Sequence, residues 1–379
     1  MATIKCYTKK NGTKAWQFQT YVGTDETGRK RFTTRRGFSS KRQCQTALNR
    51  LMLDIEENGF QKSEITMFKE LYESWLPIYK TKIKASTYAN TLEIFKRYII
   101  PRFGKMELKN ISVRYCQKIL NEWYEHYRNY KGFRMKLNLL LDYAVSLELL
   151  ATNPMRKTQV PRKKEIDKPV NFYTKDELRH FLDLYKSDGE TLKYVFFHLL
   201  AYTGMRKSEC FALQYQDINF LKSELSIDKT VAMDEHCKVI VQTAKTKDSK
   251  RVISLDPVTL GLIKEWQKYQ REYMLKLGHN TNSSQQIIFA NPRNNYYRPN
   301  VTGQWLNSFF RLHPEMKRIT PHGFRFTHCS LLFEAGASMK EVQGRLGHKD
   351  VQTTMNIYAK VTPQMAENTG EKFAKFMSM

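Results

Sequence analysis

Along the 379 residues of this chain the spacing of apolar positions changes from two to helical and back. Trp16-Gln17-Phe18-Gln19-Thr20-Tyr21-Val22 alternates with period two, as a half-buried strand does. Asp25-Glu26-Thr27-Gly28 is a turn signal, and Lys30 to Arg36 reads as a second, charge-dense strand ending at Gly37. Ser39 or Ser40 can cap the helix that follows, with apolar residues Ala47, Leu48, Leu51, Leu53 and Ile55 ahead of Gly59. From about residue 61 to 155 the spacing is helical. Phe68, Leu71, Trp75, Ile78 and Tyr79 mark one helix; Ser86 opens another through Tyr88, Leu92, Phe95 and Ile99 that closes near Pro101 and Gly104. Tyr115 to Tyr127 and Phe133 to Leu150 give two more. The aromatic stripes of these helices are expected in a core.

Asn153-Pro154 and the stretch Arg156 to Lys164, with Pro161 inside it, have the composition of a cationic linker. Beyond it Thr174 and Glu177 form a capping-box pattern, and Thr191 to Tyr202 is an apolar, buried helix. Short strands are expected near Leu225–Ile227, Val239–Gln242 and Val252–Leu255, and helix again from Glu315 to the end. No repeat or low-complexity tract occurs. The expected architecture is mainly α with small β-sheets (α+β). It divides into a sheet-plus-helix segment (1–60), a helical domain (61–155), a basic linker (156–169) and one larger mixed, mostly helical domain with a tail (170–379).

Charge changes this picture. The chain carries 63 Lys+Arg against 37 Asp+Glu, a net +26, with 41% hydrophobic and 13% aromatic residues. That is too much apolar material for a disordered basic tail, and a surplus of this size calls for a polyanion. Residues 1–60 hold 12 basic and 5 acidic residues, 61–168 hold 22 and 11, and 169–379 hold 29 and 21. Every segment is basic, so the anion is met along the whole chain. Nucleic acid fits better than lipid, because no lipidation motif occurs and the cations are not confined to one amphipathic helix. No run reaches the roughly 18 apolar residues of a membrane span, and the first ten residues have no apolar signal region. Cys6, Cys44, Cys116, Cys210, Cys237 and Cys329 are too scattered for a zinc site or a disulfide framework, so reduced thiols are expected.

Four local patterns in the last segment carry chemistry. In Thr203-Gly204-Met205-Arg206-Lys207-Ser208-Glu209 a buried helix ends at glycine and an arginine opens the next helix, a placement suited to a phosphate. Thr243 to Arg251 lies between two strands and offers Lys245, with Lys247 as an adjacent candidate, at an expected hairpin tip that can reach into a groove. In Pro321-His322-Gly323-Phe324-Arg325 the His and Arg are one helical turn apart. Leu346-Gly347-His348 is followed ten residues later by Tyr358. Taken singly, each residue has a structural reading: Arg206 paired with Glu209, packed histidines, one tyrosine among 21, and solvated loop lysines beside Lys250 and Arg251.

The order Arg–Lys–His-x-x-Arg–His–Tyr, with these flanks over about 170–365, resembles the tyrosine recombinase (phage integrase) family. The helical segment resembles that family's core-type, SAM-like DNA-binding domain, and the first segment the arm-type DNA-binding domain of integrases from prophages and conjugative transposons. The resemblance implies that Tyr358 attacks a backbone phosphate to give a 3′-phosphotyrosyl link and a free 5′-hydroxyl. Arg206 and Arg325 then hold nonbridging oxygens, and Lys245 protonates the leaving oxygen. His322 helps deprotonate the tyrosine or donates a hydrogen bond, His348 donates to the phosphate, and Glu209 orients its neighbours. Phe326 stands where the family often has histidine and is expected to pack; His328 is expected to be structural.

The chemistry agrees with that set. Two bidentate guanidiniums stabilise a phosphoryl transition state without metal. A phenol with pKa near ~10 needs a base or positive field, and the leaving alkoxide needs an acid. The covalent link conserves bond energy, so no metal, ATP or other cofactor is expected. The implied function is integration and excision of a mobile element. The expected partners are double-stranded core and arm attachment sites, a homotetramer on DNA, an excisionase and a host DNA-bending protein. The expected location is the cytoplasm of a bacterial host, at the nucleoid. Arg31, Arg35, Arg36, Arg162, Lys163, Lys164 and Lys247 are the expected DNA contacts outside the reacting set, although the strand arginines equally suit a charged, solvated edge. The apolar residues Phe373 and Phe376 of the tail suit docking on a neighbouring protomer or on their own domain. Two other functions remain open on the sequence: a non-catalytic architectural DNA-binding protein, and a type IB topoisomerase-like enzyme.

Overall fold

The computed structural model describes residues 2–9, 12–24, 29–58, 65–162, 171–243 and 250–347, with four isolated positions beyond. Contacts divide the chain into two compact units, 1–76 with 98–160, and 77–97 with 161–379.

The first unit opens with a three-stranded antiparallel sheet, β1 (Thr3–Thr8), β2 (Lys14–Thr24) and β3 (Lys30–Phe38), in that order. The expected two strands are therefore three, and β3 is an edge. The helix α1 (Lys41–Asn58) packs on one face, where Phe18, Cys44, Leu48 and Leu51 are buried. Ser40 Oγ accepts from Gln43 N at 3.2 Å, which selects Ser40 over Ser39 as the cap. Leu53, expected with the apolar stripe, is 58% exposed.

The helical region contains α2 (Phe68–Lys82), α3 (Ala85–Ile94), a π turn at Phe95–Ile99, α4 (Ile100–Phe103), α5 (Val113–His126) and α6 (Tyr130–Ser146). Helix α3 starts at Ala85 rather than Ser86, with Lys84 in the extended conformation as its cap residue. Helix α6 starts three residues earlier than expected and stops at Ser146, because Glu148 turns to φ 58°. In the first unit Phe68, Phe103, Trp123 and Phe133 form a ring-on-ring core, as expected for the aromatic stripes.

The second unit takes in the end of α2, α3, and α7 (Lys175–Ser187), α8 (Thr191–Thr203) and the short α9 (Lys207–Cys210). There follow β4 (Ile218–Asn219), β5 (Glu224–Ile227), β6 (Lys229–Met233), β7 (Val239–Thr243) and β8 (Arg251–Ser254). Helices α10 (Pro257–Lys276), α11 (Val301–Leu312), α12 (Gly323–Glu334) and α13 (Met339–Leu346) complete the described part. Thr174 and Glu177 make the expected capping box at α7. Helix α8 is buried through Phe196, Phe197, Leu199 and Leu200, at the centre of the large core. Glu315 to Thr320 is not helical, contrary to the expectation for that stretch.

The hairpin expected around Lys245 is corrected by the pairing. Strand β7 pairs with β6, and β8 pairs with β5 in a separate sheet of order β4-β5-β8. The loop between β7 and β8 thus joins two sheets. Sequence spacing could not show this, because partner choice depends on residues far along the chain. Within the same unit Lys84 Nζ donates to Thr243 O at 2.8 Å, Ser86 Oγ to Gln242 Oε1 at 3.2 Å, and Lys80 pairs with Glu235 at 2.7 Å. The end of β7, next to the lysine loop, is therefore tethered to α3. All six cysteines are free thiols. Among the described residues no helix is long and apolar enough to cross a membrane.

Candidate active site

The site is assembled where α8 ends. Gly204 caps the helix in the left-handed conformation, φ 63°, a region that glycine enters without a Cβ penalty. Space demands glycine as well: a Cβ there would lie 2.6 Å from both His328 Cδ2 and Leu346 Cδ2. The turn carries Arg206 to the cap of α9, where it is half-exposed. Its Nη1 donates to Glu209 Oε1 at 2.7 Å and its backbone N–H to Glu209 Oε2 at 2.9 Å. Helix α9 has only four residues and its leading N–H is taken by Glu209, so the guanidinium, rather than a helix end, is what this turn offers an anion.

His322 is the cap residue of α12 and Arg325 lies in its first turn. Arg206 and His322 line one cleft of about 370 Å³, together with Lys207, Ser208, Thr320 and Pro321. Arg325 is 1% exposed. Its Nη1 donates to Gly204 O at 2.8 Å and its Nη2 to Leu346 O at 2.6 Å. One guanidinium therefore ties the Arg206 turn to the end of α13, immediately before Gly347 and His348. The α12 entrance is fixed by the chain just past the linker: Thr320 N donates to Asn171 Oδ1, Tyr173 OH to Lys317 O, and Tyr173 N to Thr327 Oγ1. Gly323 is needed for this approach, since a Cβ would meet Asn171 O at 2.8 Å. Phe324 is fully buried in the large core, and Phe326 packs beside Phe333 with its ring 4.8 Å from that of His322.

The electrostatics suit an anion. Burial, then the charges of Arg325, Arg206 and Lys207, hold His322 below the usual imidazole range, so it is neutral at neutral pH. Arg325 is lowered to about 9 by burial and by the Arg206 and Arg251 charges. Burial by itself would raise Glu209, but the Arg251 charge and hydrogen bond, with those of Arg206, leave it lowered and ionised.

Arg251 and Arg345 were not among the expected site residues. Arg251, placed among the solvated loop charges on sequence, has a side chain only 6% exposed and donates to Glu209 Oε2 at 2.9 Å. His328 Nδ1 bonds Ala201 O at 2.7 Å, and since a carbonyl only accepts, Nδ1 carries the proton. Its Nε2 is left to accept from Arg345 Nε at 3.1 Å. Burial and Arg345 lower His328 to about 3, consistent with that neutral form. On sequence Arg251 was the last residue of the stretch before the strand expected at Val252–Leu255; the structure makes it the first residue of β8.

Lys245, Lys247, His348, Tyr358, Lys163, Lys164, and the tail residues Phe373 and Phe376, lie outside the described residues. Arg162 is exposed. The three strand arginines are exposed but do not share a face. Arg35 is opposite Phe18 and lines a groove with Arg42 and Arg50 of α1, whereas Arg36 is opposite Gln17 on the other face.

Comparison with known proteins places the chain in a family. Residues 171–365 match the phage integrase family, 67–124 match the SAM-like N-terminal domain of phage integrases, and 4–55 match an arm DNA-binding domain. The ICEBs1 integrase of Bacillus subtilis is 26% identical over 96% of this chain and 98% of its own length. The prophage ps2 probable integrase of Lactococcus lactis is 29% identical over 79% of this chain and 80% of its own. Among solved structures, the Tn1549 transposon integrase in complex with transposon right end DNA superposes with TM-score 0.65 at 18% identity, covering 80% of this chain and 99% of that one. A lambda integrase tetramer bound to a Holliday junction gives 0.56 at 17%, covering 93% and 94%. The chain belongs to the phage integrase family and is a site-specific tyrosine recombinase of the integrase type.

Proposed function

We propose that this recombinase cuts and rejoins DNA at attachment sites through Tyr358, which attacks the scissile phosphate to form a 3′-phosphotyrosyl intermediate. The observation that carries the proposal is the shared cleft of Arg206 and His322, with the buried Arg325 one helical turn along α12 from His322. Arg206 is half-exposed and free to turn one edge of its guanidinium to a nonbridging oxygen while Glu209 holds the other. Arg325 adds positive charge that is felt at His322. Neutral His322 can accept the phenolic proton or donate to the phosphate, and His348, two residues past Leu346 in the sequence, is the second histidine donor to it. Lys245 protonates the 5′-oxygen as it leaves. Charge on the equatorial oxygens is met by guanidinium groups already in place, so metal and ATP are not needed.

The domain roles follow the charge layout. Residues 1–60 read arm sites, 61–155 read core sites, 156–169 are the basic linker and 170–379 perform catalysis. Arg31, Arg35, Arg36, Arg162, Lys163, Lys164 and Lys247 contact phosphates or base edges. Since Arg35 and Arg36 point to opposite faces of the sheet, one of them contacts the groove and the other a flanking phosphate. The likeness to a lambda integrase tetramer on a Holliday junction supports a tetramer on DNA, with an excisionase and a host bending protein directing excision. The working place is the bacterial nucleoid.

The test is a nicked suicide substrate carrying the attachment core. Wild-type protein should accumulate a covalent adduct in EDTA without nucleotide, and Tyr358→Phe should bind the same DNA with no adduct. An adduct with Tyr358→Phe would show that another residue is the nucleophile.

A further inference from the structure

Arg251 makes a second tie between two parts of the site that Arg325 also joins, the Arg206 turn and the end of α13. Its Nη2 donates to Glu209 Oε2 at 2.9 Å, and that carboxylate orients Arg206 through 2.7 and 2.9 Å bonds. Its Nε donates to Arg345 O at 3.0 Å, one residue before the carbonyl that Arg325 holds. The last carbonyls of a helix have no partner inside it and carry partial negative charge. Here two successive ones, at Arg345 and Leu346, are claimed by guanidiniums. The Arg345 side chain anchors the same helix end to its surroundings, donating to Ser254 O and Tyr202 O at 3.2 Å each and to His328 Nε2.

We infer that Arg251 is a positioning residue for recombination. Through Glu209 it fixes the Arg206 guanidinium, and through the Arg345 carbonyl it fixes the turn leading to His348. It does not touch the phosphate. This rests on the reading of Arg206 as a phosphate ligand. Fold stability alone explains the arrangement poorly, because a buried ion pair is often replaceable by apolar residues at no cost in stability. Geometry explains it better. The Nε–Nη2 edge of one planar guanidinium spans two acceptors, which an ammonium, a single point charge, does not reproduce.

The experiment uses full-length protein and two suicide substrates, one with the natural scissile phosphate and one with a nonbridging oxygen replaced by methyl. The variants are Arg251→Lys and, as a second that keeps an amide donor for Glu209, Arg251→Gln. Arg206→Lys and wild type are run beside them, with a thermal melt and a gel shift for each. On the natural phosphate, cleavage by the Arg251 variants should fall about 10- to 100-fold with binding within about 3-fold. On the methyl substrate, where one oxygen no longer needs its guanidinium, the deficit should shrink to about 3-fold, as for Arg206→Lys. The double variant with Arg206→Lys should be no worse than the poorer single variant. An equal deficit on both substrates, multiplicative effects in the double variant, or loss of folding in both variants would overturn the inference and leave Arg251 structural. If Arg206→Lys is rescued and the Arg251 variants are not, only this inference fails. If wild type forms no adduct, or Arg206→Lys cleaves normally, the proposed function fails with it.

Discussion

Two guanidiniums meet one carboxylate at Glu209, and one of them, Arg206, shares its cleft with a neutral imidazole, His322. The charge state of His322 follows from its neighbours, because burial and three nearby cations oppose its protonation. The sign is definite: with its pKa lowered, His322 stays neutral throughout the range where an ordinary imidazole, near ~6.5, would begin to charge. The second-order rate of cleavage by free protein should therefore hold level from pH 8 down to about 6.5 and fall only below that. His322→Gln should lower the rate and remove the acidic limb. A limb centred above the ordinary imidazole value in wild type would contradict this environment. Arg206 and His322, picked out in the sequence by a glycine stop and by a His-x-x-Arg spacing, are brought to one cleft by the fold. Arg251 was not picked out, since its burial depends on Glu209, 42 residues away, and on a helix end 94 residues later.

At the scale of elements, local signals in the sequence were sound and pairings were not. The capping box at Thr174 and the glycine stop at Gly204 are set by residues three or four apart, and both are present. Strands β1, β4 and β6 were missed, and β7 and β8 join different sheets, because a strand's partner is a non-local choice. The ends of α3 and α6 shifted by a few residues where cap geometry overrode apolar spacing. The junction of α8 with α12 and α13 at Gly204 is the element contact on which the site depends. Gly204→Ala forces a non-glycine residue into the left-handed region and drives a methyl into His328 and Leu346. A loss of about 1–3 kcal/mol is expected, read as a lower thermal midpoint, with cleavage falling because the Arg325 acceptor at Gly204 moves. An unchanged melt and rate would show that the turn tolerates displacement.

For the whole molecule, the +26 surplus is a statement about binding more than about chemistry. It is spread over all three segments, and few of its cations sit near the cleft. Most of them are expected to meet phosphates, so affinity for attachment-site DNA should be steeply salt-dependent. With 6–10 phosphate contacts it falls by about 10³–10⁵ between 50 and 200 mM salt, which a filter-binding or anisotropy titration reads directly. Truncation to residues 61–379 should reduce the slope and leave core-site cleavage in place. The family-level assignment was already visible in the order of the site residues. The arrangement that supports them was not, because it is built from carbonyls and buried side chains distant in sequence.

The central claim is that Tyr358 becomes the residue joined to DNA. The most direct measurement is mass spectrometry of the trapped adduct after protease and nuclease digestion. The expected result is a nucleotide remnant linked through a 3′-phosphate to Tyr358, in the peptide containing Met355-Asn356-Ile357-Tyr358. A remnant on any other residue, or a 5′-phosphate linkage, would contradict the account.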